Sequence, residues 1–246
     1  LAGSAIIGTA LGPYSPGSAY VLLHHYMGEV DGTVGAWGYS RGGMGSITQA
    51  MSKSLQSKGG EVKAGSPVTK ILIKNNRSYG LVLANGDEIY ANKIVSNLDV
   101  KRTFLKVVEQ NQLPEDFYLA VKNFKIRGSS GKLNIALDDL PAWKSIPVGD
   151  PAGTGDLHIT QSIEEMERAY DDWKDGKWSA NPYVDMCVPS INDPTIAPQG
   201  KHYMSVFIQY VPYNLADGGW TEEKRKEFGS HVMNRIGNYS NNFNDI

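Results

Sequence analysis

The residues most open to a chemical role begin with Gly42-Gly43-Met44-Gly45, just ahead of apolar residues at helical spacing, Ile47, Ala50, Met51 and Leu55. Glycines there let the backbone approach a ligand, and the start of the following helix carries partial positive charge suited to an anion. Gly43 to Thr48 spells G-x-G-x-x-G with its last glycine replaced. However, no β-rich run precedes it, no acidic residue closes a second strand about 20 positions on, and the Lys-Ser/Thr of a P-loop is missing. By itself the segment reads as a tight turn into a helix.

His24 and His25 are neighbours on a helical pattern, so they face different ways and do not easily share a metal. No HExxH or comparable ligand spacing occurs. His158, His202 and His231 each stand alone, and no metal is expected. Gly38-Tyr39-Ser40-Arg41-Gly42 matches G-x-S-x-G by letter. A nucleophile elbow follows a buried strand, whereas a glycine-rich loop precedes Ser40, so a serine hydrolase is a minor reading. Asp138-Asp139, Glu164-Glu165 and Asp171-Asp172 read as loop or solvated helix faces, and EF-hand spacing is absent. Cys187, between Met186 and Val188, reads as a small core residue. Tyr203, Phe207, Tyr210 and Tyr213 suit either a ligand cavity or an ordinary sheet core.

These residues need elements to hold them. Ser18 to Met27 reads as a short helix opened by Pro16-Gly17 and closed by Gly28, and a longer one over Ile47–Leu55 ends at Gly59-Gly60. The period then changes to two. Val62 and Ala64 suggest a short strand, followed by a three-stranded meander over Val68–Lys74, Ser78–Ala84 and Glu88–Val95, with Asn85-Gly86 as a hairpin turn. Val100–Val108 and Pro114–Phe124 look helical, Lys132–Leu137 and Leu157–Thr160 extended, and Pro147–Gly155 a loop. Ser162 and Glu165 form a capping box ahead of a helix facing inward with Ile163, Met166, Tyr170 and Trp173. Tyr183–Val188 and His202–Tyr210 read as strands, and Thr221–Ile236 as a helix packing through Phe228, Val232 and Ile236. The order implies an α/β or α+β chain with a mixed sheet.

The chain has 246 residues, 41% hydrophobic, with 24 Lys+Arg against 26 Asp+Glu. No apolar run approaches the roughly 20 residues of a membrane-spanning helix. A net charge of -2 without basic stripes leaves no footprint for nucleic acid. One cysteine excludes an internal disulfide framework and fits a reducing compartment. The chain opens on Leu1 without a basic leader region and stops soon after a helical pattern, so it is expected to be a piece of a longer protein.

One ordered series of segments is more specific than any single motif. It runs Gly35-Ala-Trp-Gly-Tyr-Ser-Arg-Gly-Gly-Met-Gly45, Gly59-Gly-Glu-Val-Lys-Ala64, Ser66-Pro-Val-Thr-Lys-Ile71, Gly80-Leu-Val-Leu-Ala-Asn-Gly86 and Ile94-Val-Ser-Asn-Leu-Asp99. This series resembles the middle of the phytoene desaturase-like flavoproteins, a family that includes carotenoid isomerases and retinol saturases. Gly12 to Glu29, His158 to Arg168 and Pro194 to His202 are similar to one branch of that family, so the resemblance covers essentially the whole chain.

The resemblance implies an FAD-dependent oxidoreductase with a Rossmann-like FAD domain, here partial and lacking its N-terminal fingerprint and C-terminal glycine-rich segment, and a separate substrate domain. It assigns residues 1–45 to substrate-domain helices and the glycine-rich loop, 46–100 to the central FAD-binding part with the meander, and 101–246 to an incomplete substrate domain. By the same match Val68 would contact the adenine end of FAD through its backbone. Gly42, Gly43 and Met44 would lie near the flavin or the substrate channel, and Asn97 in the segment returning to the FAD domain. No catalytic side chain is carried over. The implied substrate is a hydrophobic small molecule, polyene or isoprenoid in type, with peripheral membrane contact compatible. The implied location is cytoplasmic for a bacterial protein and mitochondrial for a eukaryotic member of the branch. A non-catalytic assembly factor that keeps the flavoprotein fold is the alternative, since a fold does not fix an activity.

Overall fold

The computed structural model describes residues 2–147 and 149–246; Leu1, and Val148 within the expected Pro147–Gly155 loop, lie outside the described residues. The chain forms two compact units, one of Leu1–Ala50 with Arg127–Ile246, the other of Met51–Ile126.

In the first unit, α1 (Ser18–His25) starts at Gly17, whose φ of 92° suits a residue without a side chain. A small hairpin follows, β1 (Glu29–Val30) and β2 (Thr33–Val34), inside what the sequence suggested was plain loop. Its turn residues Asp31 and Gly32 both have positive φ, as a tight two-residue turn requires. Helix α2 (Gly45–Ser57) then carries the chain from the first unit into the second, and Gly59, at φ 81°, closes it as expected. Its apolar stripe is not buried: Ile47, Met51 and Leu55 are all exposed.

The second unit is built on the meander β3 (Val68–Lys74), β4 (Arg77–Leu83) and β5 (Glu88–Tyr90), paired antiparallel in that order. Asn75 and Asn76, both left-handed, make the first turn, and Asn85-Gly86 the second. The expected strand at Val62 and Ala64 does not form, because two alternating residues find no partner there, and β5 stops at Tyr90, leaving Val95 exposed. Short helix α3 (Val100–Arg102) is capped by the Asp99 carboxylate, runs on as a π-helical turn over Thr103–Val107, and is followed by α4 (Glu115–Asn123).

Back in the first unit, β6 (Ser130–Leu137), β7 (Leu157–Ile159), β8 (Tyr183–Cys187) and β9 (His202–Gln209) form one sheet in the order β6-β9-β8-β7. Every described pair is antiparallel, where the sequence suggested a mixed sheet. Between β7 and β8 lies α5 (Ile163–Lys174), a pattern that usually makes strands parallel. Here the eight residues 175–182 bring the chain back to the edge it left, so β8 runs against β7. The last helix is α6 (Glu222–Gly237), capped by the Thr221 hydroxyl.

Strand alternation gives this sheet two different faces. Val184, Met186, Met204, Val206 and Ile208 are fully or almost fully buried and pack with Phe228, Val232 and Ile236 of α6, the inner face expected for that helix. On the other face Ile6, Met166, Ala169, Trp173, Tyr183 and Tyr210 form a second core. The Gln209 amide joins the N-terminal segment to it, with Nε2 donating to the Ile6 and Thr9 carbonyls and Oε1 accepting from Gly8 N–H.

The expected capping box is displaced by one residue. Ser162 Oγ accepts from Glu165 N–H, but Glu165 Oε1 accepts from Gln161 N–H and from Arg235, 2.6 Å away. The Glu165–Arg235 pair is buried on both sides, and Arg235 also donates to Asn181. Removing one member of a buried pair strands the other charge. Glu165→Ala is therefore expected to lose ~3–5 kcal/mol in chemical denaturation, and replacing both residues with apolar ones much less.

Candidate functional site

The second face of the sheet carries chemistry that periodicity in a single strand does not show. Cross-strand register puts His158 opposite Asp185, Asp185 opposite Phe207, Cys187 opposite Ser205, and Lys132 opposite Phe207. All of them share one face, and with the N-terminal residues Ile7, His25, Trp37 and Tyr39 they line a cavity of about 460 Å³.

A hydrogen-bonded group sits on its floor. His158 Nδ1 bonds the Tyr183 hydroxyl, and that hydroxyl lies 3.4 Å from Asp185 Oδ2. Asp185 Oδ2 is 3.8 Å from His158 Nδ1. A side chain at Gly3 would overlap the Tyr183 hydroxyl, so glycine there is what lets the N-terminal segment close over the pair. His25 is fixed separately, its Nδ1 2.6 Å from the Ser4 carbonyl. Lys132 Nζ bonds Ser205 Oγ.

Burial and like charge push Tyr183 and Asp185 toward their neutral forms. Burial raises the Tyr183 hydroxyl far above the ordinary tyrosine range, with the Asp185 charge adding to it. Asp185 is itself raised by burial and by Asp156, against the opposing pull of His158. Burial likewise raises Tyr39 and Cys187. The cavity therefore sets un-ionised hydroxyl, thiol and carboxyl groups beside an apolar wall of Ile7, Trp37 and Phe207. Cys187 is half-buried on this face and not the core residue its neighbours suggested; Met186 and Val188 take the core side. Of the four aromatics, Phe207 lines the cavity and Tyr210 is fully buried. The Tyr203 hydroxyl bonds Asn134, and Tyr213 is exposed.

The glycine turn lies in the same unit. Gly42 and Gly43 have φ of 81° and 77°, so both positions demand glycine, and Met44 is exposed. Gly42 N–H donates to Asp193 Oδ2 at 2.6 Å, and Asp193 also takes the backbone and hydroxyl hydrogens of Thr195. These bonds, Thr195 first, hold the Asp193 carboxyl below its usual range. Ser40 Oγ bonds Ser46 Oγ at 2.6 Å, a serine and not a base, which gives no support to a serine nucleophile.

Val68 and Asn97 belong to the other unit. Val68 opens β3, an edge strand, opposite Leu83. Ala84 N–H donates to the Pro67 carbonyl, so by antiparallel alternation the backbone N–H and C=O of Val68 turn to the unpaired edge. Asn97 is exposed, two residues before the Asp99 cap of α3.

No family model matches the chain. It is 36% identical over 251 residues to the mouse (Mus musculus) "Pyridine nucleotide-disulfide oxidoreductase domain-containing protein 2", covering 99% of this chain and 43% of that protein. It is 30% identical to the chloroplastic prolycopene isomerase of Daucus carota, covering 76% of this chain and 28% of that protein, and bacterial phytoene desaturases match more distantly. The chain is a phytoene desaturase-like sequence. Among solved structures, an oxidoreductase from Methanosarcina mazei superposes with a TM-score of 0.50 at 22% identity, covering 82% of this chain and 39% of that one, a likeness of fold. The chain thus spans less than half the length of the curated relatives it matches.

Phytoene desaturase-like resemblance pointed to Gly42, Gly43, Met44, Val68 and Asn97, and the first three form one turn. It did not point to the His158–Tyr183–Asp185 group. That group was legible only as alternation in β8, where Tyr183, Asp185 and Cys187 fall two apart, and its assembly needed the β7 register.

Two outcomes test this geometry. Asp193→Ala should speed exchange of the Gly42 amide hydrogen about ten- to a hundredfold, as expected for loss of a bond to a charged acceptor. The second concerns Asp185. Because its carboxyl is raised in the folded state, the fold binds a proton more tightly than the unfolded chain does. Stability should fall as pH rises from the ordinary carboxylate value to the raised one. Asp185→Asn should flatten that segment of the stability–pH curve measured by denaturation.

Proposed function

We propose that this chain belongs to an FAD-dependent oxidoreductase acting on a hydrophobic small molecule of polyene or isoprenoid type. The observation that carries the reading is sequence likeness to an oxidoreductase-domain protein along 99% of the chain, together with likeness to carotenoid isomerases and desaturases. The cavity supports it, since Ile7, Trp37 and Phe207 offer an apolar wall for such a substrate.

The residues assigned by resemblance fit the cofactor unevenly. Val68 fits well, because its backbone donor and acceptor face a free strand edge that can pair with the adenine end. The Gly42–Gly43–Met44 turn fits a positioning role near the flavin or substrate channel better than a phosphate cradle, because the Asp193 carboxylate already occupies the Gly42 N–H. Asn97, exposed at the surface of its unit, lies in the segment that the resemblance takes back to the FAD domain. Bound FAD would supply the two-electron chemistry. The chain's own residues would seat the substrate on the sheet, keep water from it, and hold protons at Tyr183 and Asp185.

The absorption spectrum of the purified intact protein tests the reading, with oxidised flavin bands expected on isolation or after adding FAD. Absence of both overturns it. Val68→Pro removes the outward N–H at the first residue of an edge strand, where proline is tolerated. FAD affinity should fall roughly tenfold while the circular dichroism of the protein is unchanged.

A further inference from the structure

Strand β6 is the long free edge of the four-stranded sheet. It has eight residues, whereas β7 at the opposite edge has three. Exposed edges are usually blunted by proline, a bulge or an outward charge. β6 has no proline and keeps an unbroken register with β9, and its one charge, the Lys132 ammonium, is drawn back to Ser205 Oγ on the sheet. Tyr203 N–H turns away from β6 to donate to Ser190 Oγ. Its partner Ala136, and with it Asn134, Lys132 and Ser130, therefore turn their own N–H and C=O to the outer edge. Among the described residues no strand pairs with them.

This edge is complementary to itself. Its outward residues fall at every second position, so two copies of β6 set antiparallel about a two-fold axis pair all of them in one register only. That register puts Ser130 against the partner's Ala136 and Lys132 against the partner's Asn134. Carried past the strand ends, it sets Arg127 opposite the partner's Asp139. Both residues are exposed, and among the described residues neither forms an ion pair within its own copy. The same register puts the partner's Ile135 opposite Gly131, at the groove of about 590 Å³ that Gly131, Leu133, Val211, Trp220 and Phe228 line beside α6. A glycine leaves that groove open, and an isoleucine across the strands fills it. We infer that the chain forms a two-fold dimer through β6, which joins two four-stranded sheets into one continuous sheet. The pairing needs no flavin.

Sedimentation velocity of the full chain tests this, with a dimer expected in the micromolar range. Asn134→Pro removes an outward N–H from an edge strand, where proline is tolerated, and should give a monomer with unchanged circular dichroism. Arg127→Glu and Asp139→Arg should each weaken the dimer roughly tenfold, since two like-charge contacts replace two ion pairs. Mixing the two single variants should restore it, because each reversed charge then meets an opposite one across the axis. If Asn134→Pro unfolds the sheet, the mixture decides alone. A chain that stays monomeric overturns the inference, and so does a dimer that survives Asn134→Pro or a mixture no tighter than its components. Hydrogen exchange identifies the other occupant: a monomer with protected Lys132 and Asn134 amides has a different segment on the edge, and this too overturns it.

Discussion

The three hydrogen bonds of the buried Gln209 amide are the constraint on which the first unit depends. A buried primary amide must find partners, and among the described residues this one finds them in the carbonyls of Ile6 and Thr9 and the N–H of Gly8. The Tyr210 hydroxyl extends the attachment to the Leu11 carbonyl at 2.6 Å. These bonds lay the N-terminal segment across a sheet face that would otherwise be open. Without that strap there is no cavity, His25 and Tyr39 have no place opposite His158 and Cys187, and Tyr183 loses the burial that raises its hydroxyl above the ordinary tyrosine range.

The two faces of the sheet divide the labour. One is apolar and closed by α6, which the buried Glu165–Arg235 pair joins to α5. The other mixes an apolar wall with a titratable floor. Groups as costly to bury as Asp185 persist where something else is gained, and perturbed ionisation in a cleft is a common mark of a functional surface. A rigid apolar face behind a polar one is a good platform for such a group, because β8 and β9 set the spacing of its side chains.

Much of this was legible in the residues. The ends of α2, the meander with its Asn85-Gly86 turn, and the inner face of α6 follow from local rules that act within a few residues. The small hairpin at Asp31-Gly32 carried an equally local signal, hidden by the glycines around it. What local rules do not reach is pairing. The antiparallel return of β8 depends on the path of residues 175–182, and the meeting of His158 with Tyr183 and Asp185 depends on strand register. Likewise, the apolar stripe of α2 predicted burial, and the helix stands exposed. Resemblance to a family named the glycine turn and Val68 because those positions have a sequence signature, whereas the polar floor has none.

The discontinuity of the first unit has a consequence for the order of events at the ribosome. Gly8 and its partner Gln209 are 201 positions apart, and the whole second unit is made between them. At typical synthesis rates of about 5–20 residues per second, the N-terminal strap waits on the order of 10–40 seconds for the strand that receives it. The meander, whose contacts are nearly all local, has its full sequence available during that wait. Helix α1 and the strap must meanwhile stay unfolded or shielded, with Ile6 and Ile7 uncovered, until β9 emerges and the amide of Gln209 can close the unit.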